Sequence, residues 1–201
     1  MIRALKLILI LIAVMKIQNF KAPSFCNGLN CPEYSSIITQ DNIEIREYAE
    51  SFWVSTKMNN GEQSELIRSG FKTLFNYISG KNQRKEKIDM TAPVLVKVNP
   101  KTAFSSDDEV ATMSFYLGQN ENSPQPEDTN VSIGKLESKK YAIISYSGYS
   151  NKNIQEENLR TLGDFLKKNE IKFNSEYYFF AGYDSPFRFF NRHNEVWVEL
   201  L

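Results

Sequence analysis

Catalytic groups are scarce in this sequence. Its single histidine, His193, stands between Arg192 and Asn194 in a polar stretch before the last apolar run. A Ser-His or Cys-His nucleophile needs an imidazole that a third group orients, and one histidine in a polar turn does not supply that pattern. The sequence also lacks a phosphate-binding glycine loop, an HExxH helix and a GxSxG turn. We therefore predict a protein that is not an enzyme, with His193 as an exposed turn residue.

The first residues have the pattern of a secretory signal peptide. Arg3 and Lys6 precede an unbroken apolar run from Leu7 to Met15. This run is too short to cross a bilayer comfortably, so we assign residues 1–19 to a signal peptide and expect a secreted protein. No small-x-small pattern marks the cleavage site, and an uncleaved anchor is the alternative. Once this segment is removed, we expect no stable membrane partner.

The two cysteines, Cys26 and Cys31, lie in the segment 20–34 that follows. In a secreted chain they can close a small disulfide loop around residues 27–30. Two thiolates and one distant histidine do not make a structural zinc site, so we predict no metal site. The sequon that begins at Asn130 lies in a polar stretch and predicts a glycoprotein.

Charge and composition limit the partners of this chain. The 24 Lys and Arg residues balance the 24 Asp and Glu residues, whereas nucleic-acid-binding proteins usually carry a basic excess. We therefore expect no nucleic-acid partner. A hydrophobic content of 41% in 201 residues suits one domain with a sizeable core. The aromatic content of 13% fits a β-rich core or a flat apolar ligand surface, and both remain open.

Two kinds of apolar periodicity alternate along the chain. Alternating and β-branched runs predict eight strands, and two segments with a 3.6-residue period predict helices between them. The first helix is expected to be capped by Asn60 and to end at Gly80, and the second to begin near Ser150 or Asn151. The order of elements predicts an α+β domain of two similar halves. The predicted strands lie near residues 43–48, 52–58, 92–99, 110–117, 131–137, 140–147, 176–183 and 195–200.

Five sequence blocks stand in order along the chain: EIREY at 44–48, WVST at 53–56, residues 70–82, KIDMTAPV at 87–94 and residues 177–197. Together they resemble the SOUL family of haem-binding proteins, and its heme-binding protein 2 branch more closely than its heme-binding protein 1 branch. The resemblance spans Cys31 to Leu201 and implies a SOUL domain over residues 35–201. It implies a distorted antiparallel β-barrel of two similar halves, each with one packed helix, similar to bacterial GyrI-type small-molecule-binding domains.

The resemblance implies haem or another porphyrin as a non-covalent ligand. Some members of the heme-binding protein 2 branch carry a proposed histidine ligand in an Arg-His-Tyr motif, where this chain has Arg46-Glu47-Tyr48. Because glutamate is a poor substitute for an axial imidazole, we expect haem to bind without an axial protein ligand. The resemblance to the heme-binding protein 1 branch implies a groove along the first helix. A carrier of small hydrophobic ligands is the alternative function.

Four residues form the predicted cofactor site. Arg68 matches a basic residue of the family's groove and can meet a propionate, although it also fits an ordinary solvated helix position. Phe71 and Phe75 are i and i+4 on one stripe of the helix, where core packing also explains them. Met90 can touch a porphyrin, and methionine is also a common filler of cores.

Two further features carry alternative interpretations. Glu195 falls where GyrI-like domains place a pocket carboxylate for cationic ligands, but we favour a salt bridge at the rim. Residues 159–166 match the Leu-x-x-x-Gly-Asp core of the helix that fills the groove of Bcl-2-class proteins. A protein-interaction module that uses this helix is therefore a further alternative function. We do not favour a Bcl-2-class partner, because Leu162 should be buried and a secreted chain would not meet such proteins.

Overall fold

Nine strands and two α-helices follow one another along the described part of the chain. The computed structural model describes residues 20–59, 62–99, 110–119 and 121–201, so the predicted signal peptide and Asn60 lie outside the described residues. The elements are β1 (Tyr34–Gln40), β2 (Ile43–Tyr48), β3 (Ser51–Asn59), α1 (Gln63–Ile78), β4 (Val94–Val98), β5 (Val110–Gly118), β6 (Val131–Leu136), β7 (Lys139–Tyr146), α2 (Lys152–Lys168), β8 (Tyr178–Gly182) and β9 (Asn194–Glu199).

The eight strands predicted from the sequence are all present, and β1 is an additional one. Its residues are mostly exposed, and it pairs with β2 alone at the edge of the sheet. A strand with little burial on either face lacks the alternation that sequence patterns detect. The start of α1 also differs from the prediction: the helix begins at Gln63, with Glu62 at its N-cap. Asn151 caps α2 as predicted, because its side chain accepts a hydrogen bond from the Ile154 N–H at 3.1 Å.

All strand pairs are antiparallel and form one sheet in the order β1-β2-β7-β9-β8-β4-β5-β3-β6. Helix α1 packs against β3 and β5, and α2 packs against β7 and β9, so each half of the sheet carries one helix. The predicted α+β class with two halves is therefore confirmed. The sheet is not a closed barrel, since no described residue pairs its end strands β1 and β6.

Both faces of the sheet are buried over part of their area. Alternation within strands separates two cores: Val54 and Val96 face the helices, while their neighbours Trp53 and Leu95 face the other way. The face away from the helices is rich in aromatic rings. Its buried aromatic residues are Tyr48, Trp53, Tyr116, Tyr141, Phe179, Tyr183 and Trp197. The aromatic content of the sequence therefore serves a β-rich core and, on this second face, also borders a cleft.

Candidate functional site

The residues predicted to bind haem lie on and beside α1. Arg68, Phe71 and Phe75 occupy positions i, i+3 and i+7, so they follow one side of the helix. Phe71 is half-buried, with its ring centroid 5.2 Å from that of Phe115. Phe75 stacks on Phe71 at 5.9 Å, and 48% of its surface is exposed. Arg68 is exposed and forms no hydrogen bond or ion pair with any described residue.

Met90 lies between α1 and β4 and is half-buried. It packs against the helix-side core, as Phe71 does. The structure therefore brings Phe71 and Phe75 together, places Met90 on the same core, and leaves Arg68 free in solvent. The aromatic rings thus form an apolar surface, and Arg68 places a cation on the same helix. The four residues remain a predicted binding site.

The opposite face of the sheet holds a cleft of about 320 Å³. The Ser55 and Ser114 hydroxyls, 2.7 Å apart, lie within it. At its mouth, Lys97 Nζ lies 3.7 Å from the centroid of the Tyr177 ring. An apolar wall with nearby cations suits a flat ligand that carries an acidic group. The aromatic and apolar lining residues are Trp53, Leu95, Leu136, Tyr141, Tyr177 and Phe179.

Glu199 is the buried carboxylate that lines this cleft. It accepts a hydrogen bond from the Tyr177 hydroxyl and pairs with Lys139 Nζ. Burial alone would raise the pKa of Glu199, but the hydrogen bonds from Lys139 and Tyr177 lower it below the usual value. Burial raises the pKa of Tyr177, so its hydroxyl stays a donor. Lys139 is paired with Glu199, and Lys135, which also lines the cleft, is paired with Glu50 and Glu137. Among the described residues of the lining, Lys97 is the lysine that forms no ion pair with a carboxylate.

This cleft was not predicted from the sequence. The sequence did contain one indication of it: the strand positions that face away from the helices are also apolar, as at Trp53 and Leu95. Alternation marks a second buried face on each strand, but it does not reveal which strands are neighbours. The cleft exists only because β3, β4, β7 and β8 lie in one sheet.

A fully buried carboxylate, Glu195, organises a second polar site on β9. Its Oε1 accepts hydrogen bonds from His193 Nε2 at 2.8 Å and from Arg46 Nη1 at 3.0 Å. Its Oε2 accepts from the Tyr183 hydroxyl at 2.8 Å and from Trp197 Nε1 at 2.7 Å. Burial alone would raise the pKa of Glu195, but the His193 hydrogen bond and the Arg46 charge outweigh it and lower the pKa. The prediction of a salt bridge at the rim is therefore wrong, because the ion pair is inside the domain.

Arg46 on β2 is the cation of this buried pair. Its Nε lies 2.7 Å from Glu44 Oε2, its Nη1 donates to the Tyr48 hydroxyl at 3.1 Å, and its guanidinium lies 4.4 Å from the centroid of the Tyr34 ring. Burial would lower the pKa of Arg46, but the charge of Glu195 raises it above the usual value. The guanidinium thus occupies the position beside Glu195 that a cationic ligand would need.

The N-terminal segment covers the same site. Cys26 and Cys31 form a disulfide, as predicted, with their Cα atoms 6.4 Å apart. The neighbouring ring of Phe25 stacks on His193 at 4.1 Å with an interplanar angle of 7°. Asn27 Nδ2 donates to the Tyr183 carbonyl oxygen at 3.2 Å. His193 is consequently half-buried, and its prediction as an exposed turn residue is wrong, because a distant segment folds over it.

The helix motif at 159–166 lies within α2. Leu162 is fully buried, as expected, while Asp164 is exposed. A binding helix must present its leucine stripe to a partner groove, and here that stripe packs on the sheet. Gly163 has open space where a Cβ would stand, so close packing does not explain this glycine.

Two residues bear on whether the protein supplies an axial ligand to haem iron. Glu47, which stands where some relatives have histidine, is half-buried on β2. His193 Nε2 is engaged with Glu195. Within the described ranges, no group of three His, Cys, Asp or Glu side chains is arranged to hold a metal ion. Nor does any helix in this part of the chain have the length and apolarity needed to cross a membrane.

Sequence comparison assigns the domain to a family. The model of the SOUL heme-binding protein family matches residues 29–199. Human heme-binding protein 2 is 35% identical over 159 residues, which cover 78% of this chain and 77% of the relative. Heme-binding protein 1 of Xenopus laevis is 27% identical over 77% of this chain and 82% of the relative. The chain belongs to the SOUL heme-binding protein family, as its motifs predicted.

Solved structures with the same fold are remote in sequence. The C-terminal domain of EcmrR aligns with a TM-score of 0.61 at 9% identity, over 84% of this chain and 98% of that domain. A hydrolase from Listeria innocua aligns with a TM-score of 0.56 at 8% identity, over 82% of this chain and 94% of the hydrolase. At these identities the likeness concerns the fold alone, and it agrees with the predicted GyrI-like architecture.

Proposed function

We propose that this protein binds haem or a related tetrapyrrole non-covalently and catalyses no reaction. Membership of the SOUL heme-binding protein family is the observation that carries this proposal. The relatives with the same domain are named as binding proteins, heme-binding protein 2 and heme-binding protein 1. The sequence and the described residues add no nucleophile–base pair that would favour catalysis.

The proposed binding surface is the exposed side of α1. Phe75 offers a half-exposed ring that Phe71 supports from beneath, so a porphyrin face can stack without rearrangement of the core. Arg68 stands two turns before Phe75 on the same side and has no hydrogen bond or ion pair with a described residue, so it can pair with a propionate. Met90 would contact the ring edge. In this arrangement affinity comes from apolar burial and from the propionate contact, and no axial protein ligand is required.

Titration with hemin tests the proposal. We expect saturable Soret changes and tyrosine or tryptophan quenching below tens of micromolar, and absence of both would refute it. Arg68→Glu should weaken binding by about tenfold or more, because a charge-assisted contact is worth roughly 1.5–3 kcal/mol and one decade of affinity about 1.4 kcal/mol. Arg160→Glu is the matched control, since Arg160 is an exposed cation on the other helix. An iron-free porphyrin should bind with similar affinity.

The cleft on the opposite face supports a second candidate function, a carrier of small amphipathic ligands. Its volume of about 320 Å³ is at the lower end of the ~300–1,000 Å³ typical of small-molecule pockets. Ser114→Phe would fill the cleft without touching α1. If hemin binding survives Arg68→Glu but is lost in Ser114→Phe, the ligand site is the cleft and the α1 surface is not.

Secretion is part of the proposal. The apolar run at 7–15 supports it, and so does the disulfide between Cys26 and Cys31, because disulfides persist in oxidising compartments. The sequon residue Asn130 is exposed, where a glycan would meet no steric obstacle from the core. Expression in a eukaryotic secretory host, followed by intact-mass measurement of the medium, tests export, removal of residues 1–19 and glycosylation together.

A further inference from the structure

The loop at 183–193, between β8 and β9, exposes three phenylalanine rings within four residues. Phe187, Phe189 and Phe190 are 83%, 68% and 82% exposed. Side chains this exposed extend away from the body of the domain into water. Soluble proteins seldom keep such apolar groups together at the surface unless the patch meets a partner or a membrane. This loop has no part in the proposed haem site on α1.

Arg188 ties the middle of the loop to the domain. Its Nη1 lies 3.2 Å from Asp184 Oδ1 and also donates to the side-chain oxygen of Asn27. Its Nε donates to the Phe190 carbonyl oxygen at 3.1 Å. The Asp184 carboxylate also accepts from the His193 N–H at 2.6 Å. These contacts join the loop to the N-terminal segment and to β9.

Arg192 closes the loop from its other end. Its Nη1 donates to the carbonyl oxygens of Ser185 and Arg188, at 2.8 Å each. Its guanidinium lies 4.8 Å from the centroid of the Tyr149 ring. Because hydrogen bonds fix both ends of the loop, the conformation of the loop itself holds the three phenylalanines in solvent. Little conformational entropy is lost when such a loop binds.

The net charge beside these rings is positive. Arg188 and Arg192 are the cations of the loop. Its one acidic residue, Asp184, has a buried side chain and pairs with Arg188, so Arg192 supplies the excess positive charge. The rings thus form the tip, and the guanidinium groups stand behind them. Aromatic rings favour the headgroup and acyl boundary of a bilayer, while arginines at the level of the phosphates are attracted to anionic lipids.

We propose that the loop 183–193 is an interfacial anchor that adsorbs the folded domain reversibly to anionic phospholipid surfaces. The rings of Phe187, Phe189 and Phe190 enter the boundary region, and the two arginines remain at the phosphates. This inference revises the expectation, drawn from the sequence, of no stable membrane partner. It does not depend on haem binding.

Vesicle flotation with the purified protein tests this anchor. The probes are vesicles of phosphatidylcholine alone and of phosphatidylcholine with phosphatidylserine at about 7:3, since the anionic lipid should bind more tightly. The loop variant replaces the three phenylalanines with serine. The strand variant, Ile37→Ser with Ile38→Ser, is the matched control, because these two β1 side chains are also about half exposed. Every protein is secreted by the same host, so residues 1–19 are processed in the same way in all of them, and intact mass confirms their removal before the vesicles are added.

We expect the loop variant to lose at least about tenfold in partition to the anionic vesicles, because burial of even one phenyl group is worth a factor of that order. The strand variant should bind like the parent. Failure of the parent to bind either vesicle overturns the proposal, as does undiminished binding by the loop variant or an equal loss in the strand variant. Dimerisation of the parent in light scattering that the loop variant abolishes would assign the patch to a second copy instead.

A single-residue probe covers the case in which the triple replacement disturbs folding. Phe190→Trp places an indole at the tip, while the native Trp53 and Trp197 are buried. Anionic vesicles should shift the fluorescence of the introduced indole to the blue, and brominated lipids should quench it. If the introduced indole shows neither the shift nor the quenching, the proposal is overturned.

Discussion

Glu195→Gln is the sharpest test of the buried network, because the replacement keeps the shape of the side chain and removes its charge. All four groups around Glu195 donate hydrogen bonds to it. A glutamine has one acceptor oxygen, and its amide NH₂ group would face donors. Trp197 Nε1 and Arg46 cannot become acceptors. The variant therefore leaves the buried guanidinium with Glu44 as its one remaining carboxylate partner among the described residues, and at least one donor without an acceptor.

The expected loss of stability follows from this geometry. Removal of one partner of a buried ion pair typically costs about 3–5 kcal/mol, because the other charge stays buried without compensation. Because Glu44 still compensates part of the Arg46 charge, we expect a decrease at the lower end of this range in the free energy of unfolding, measured by urea denaturation with far-UV circular dichroism. Glu137→Gln is the control, since Glu137 forms an exposed pair with Lys135 and its replacement should leave the urea midpoint unchanged.

A double variant distinguishes the loss of the ion pair from a general disruption of packing. Arg46→Met together with Glu195→Gln removes both charges, so the double variant should lose less than the sum of the two single losses. A decrease below about 1 kcal/mol for Glu195→Gln, on the scale of an exposed ion pair, would show that Arg46 is solvated in the protein and would refute the buried network.

The same network predicts the direction of the pH dependence. The pKa of Glu195 is lower in the folded protein than the ~4.3 of an unperturbed glutamate. Between these two values the unfolded state binds more protons, so the contribution of Glu195 is present above the unfolded pKa and is lost as the pH falls through the folded pKa. Urea midpoints measured from pH 7 to pH 3 should fall less steeply in Glu195→Gln than in the parent. Some dependence should remain, since the pKa of Glu199 is also lowered. Equal slopes would contradict the assignment.

Two further predictions concern packing. Leu162→Ala should lower the free energy of unfolding by roughly 2–5 kcal/mol, because Leu162 is fully buried, while Leu201→Ala at an exposed position should not; an unchanged urea midpoint for Leu162→Ala would reopen α2 as a recognition surface. Gly163→Ala should raise the free energy of unfolding by about 1 kcal/mol, since alanine favours a helix and open space surrounds the site. Gly70→Ala should not be stabilised in this way, because Met58 Sδ lies only 2.7 Å from the position of the added Cβ. Urea denaturation measures both variants, and an equal increase in their free energies of unfolding would refute this reasoning.

The motifs that revealed the family turn out to be structural in the folded protein. Asn82 Nδ2 donates to the Tyr77 and Glu86 carbonyl oxygens at 3.1 and 2.7 Å, which fixes the turn after α1. The Thr91 hydroxyl donates to the Tyr116 carbonyl oxygen at 2.8 Å. Side chains that bond to the backbone in this way specify a fold, whatever ligand it carries. The motifs therefore indicate the family and the architecture and carry little information about the ligand.

Local interactions explain what the sequence determined by itself. Periodicity predicted both helices and eight strands, since each pattern depends on residues a few positions apart. The disulfide was also predictable, because Cys26 and Cys31 are close in the chain. The edge strand β1 was missed because it is held by pairing with β2 and has little buried surface of its own.

Only the tertiary structure decided the environment of the polar residues. Arg46 and Glu195 are distant in the chain, and β7 stands between their strands β2 and β9 in the sheet. Their contact, and the cover that Phe25 provides over His193, arise from strand order and from the path of the N-terminal segment. The sequence alone does not show whether a charged residue is buried. Whether Glu195 lies at a rim or inside is set by long-range packing, because desolvation depends on everything that surrounds the group.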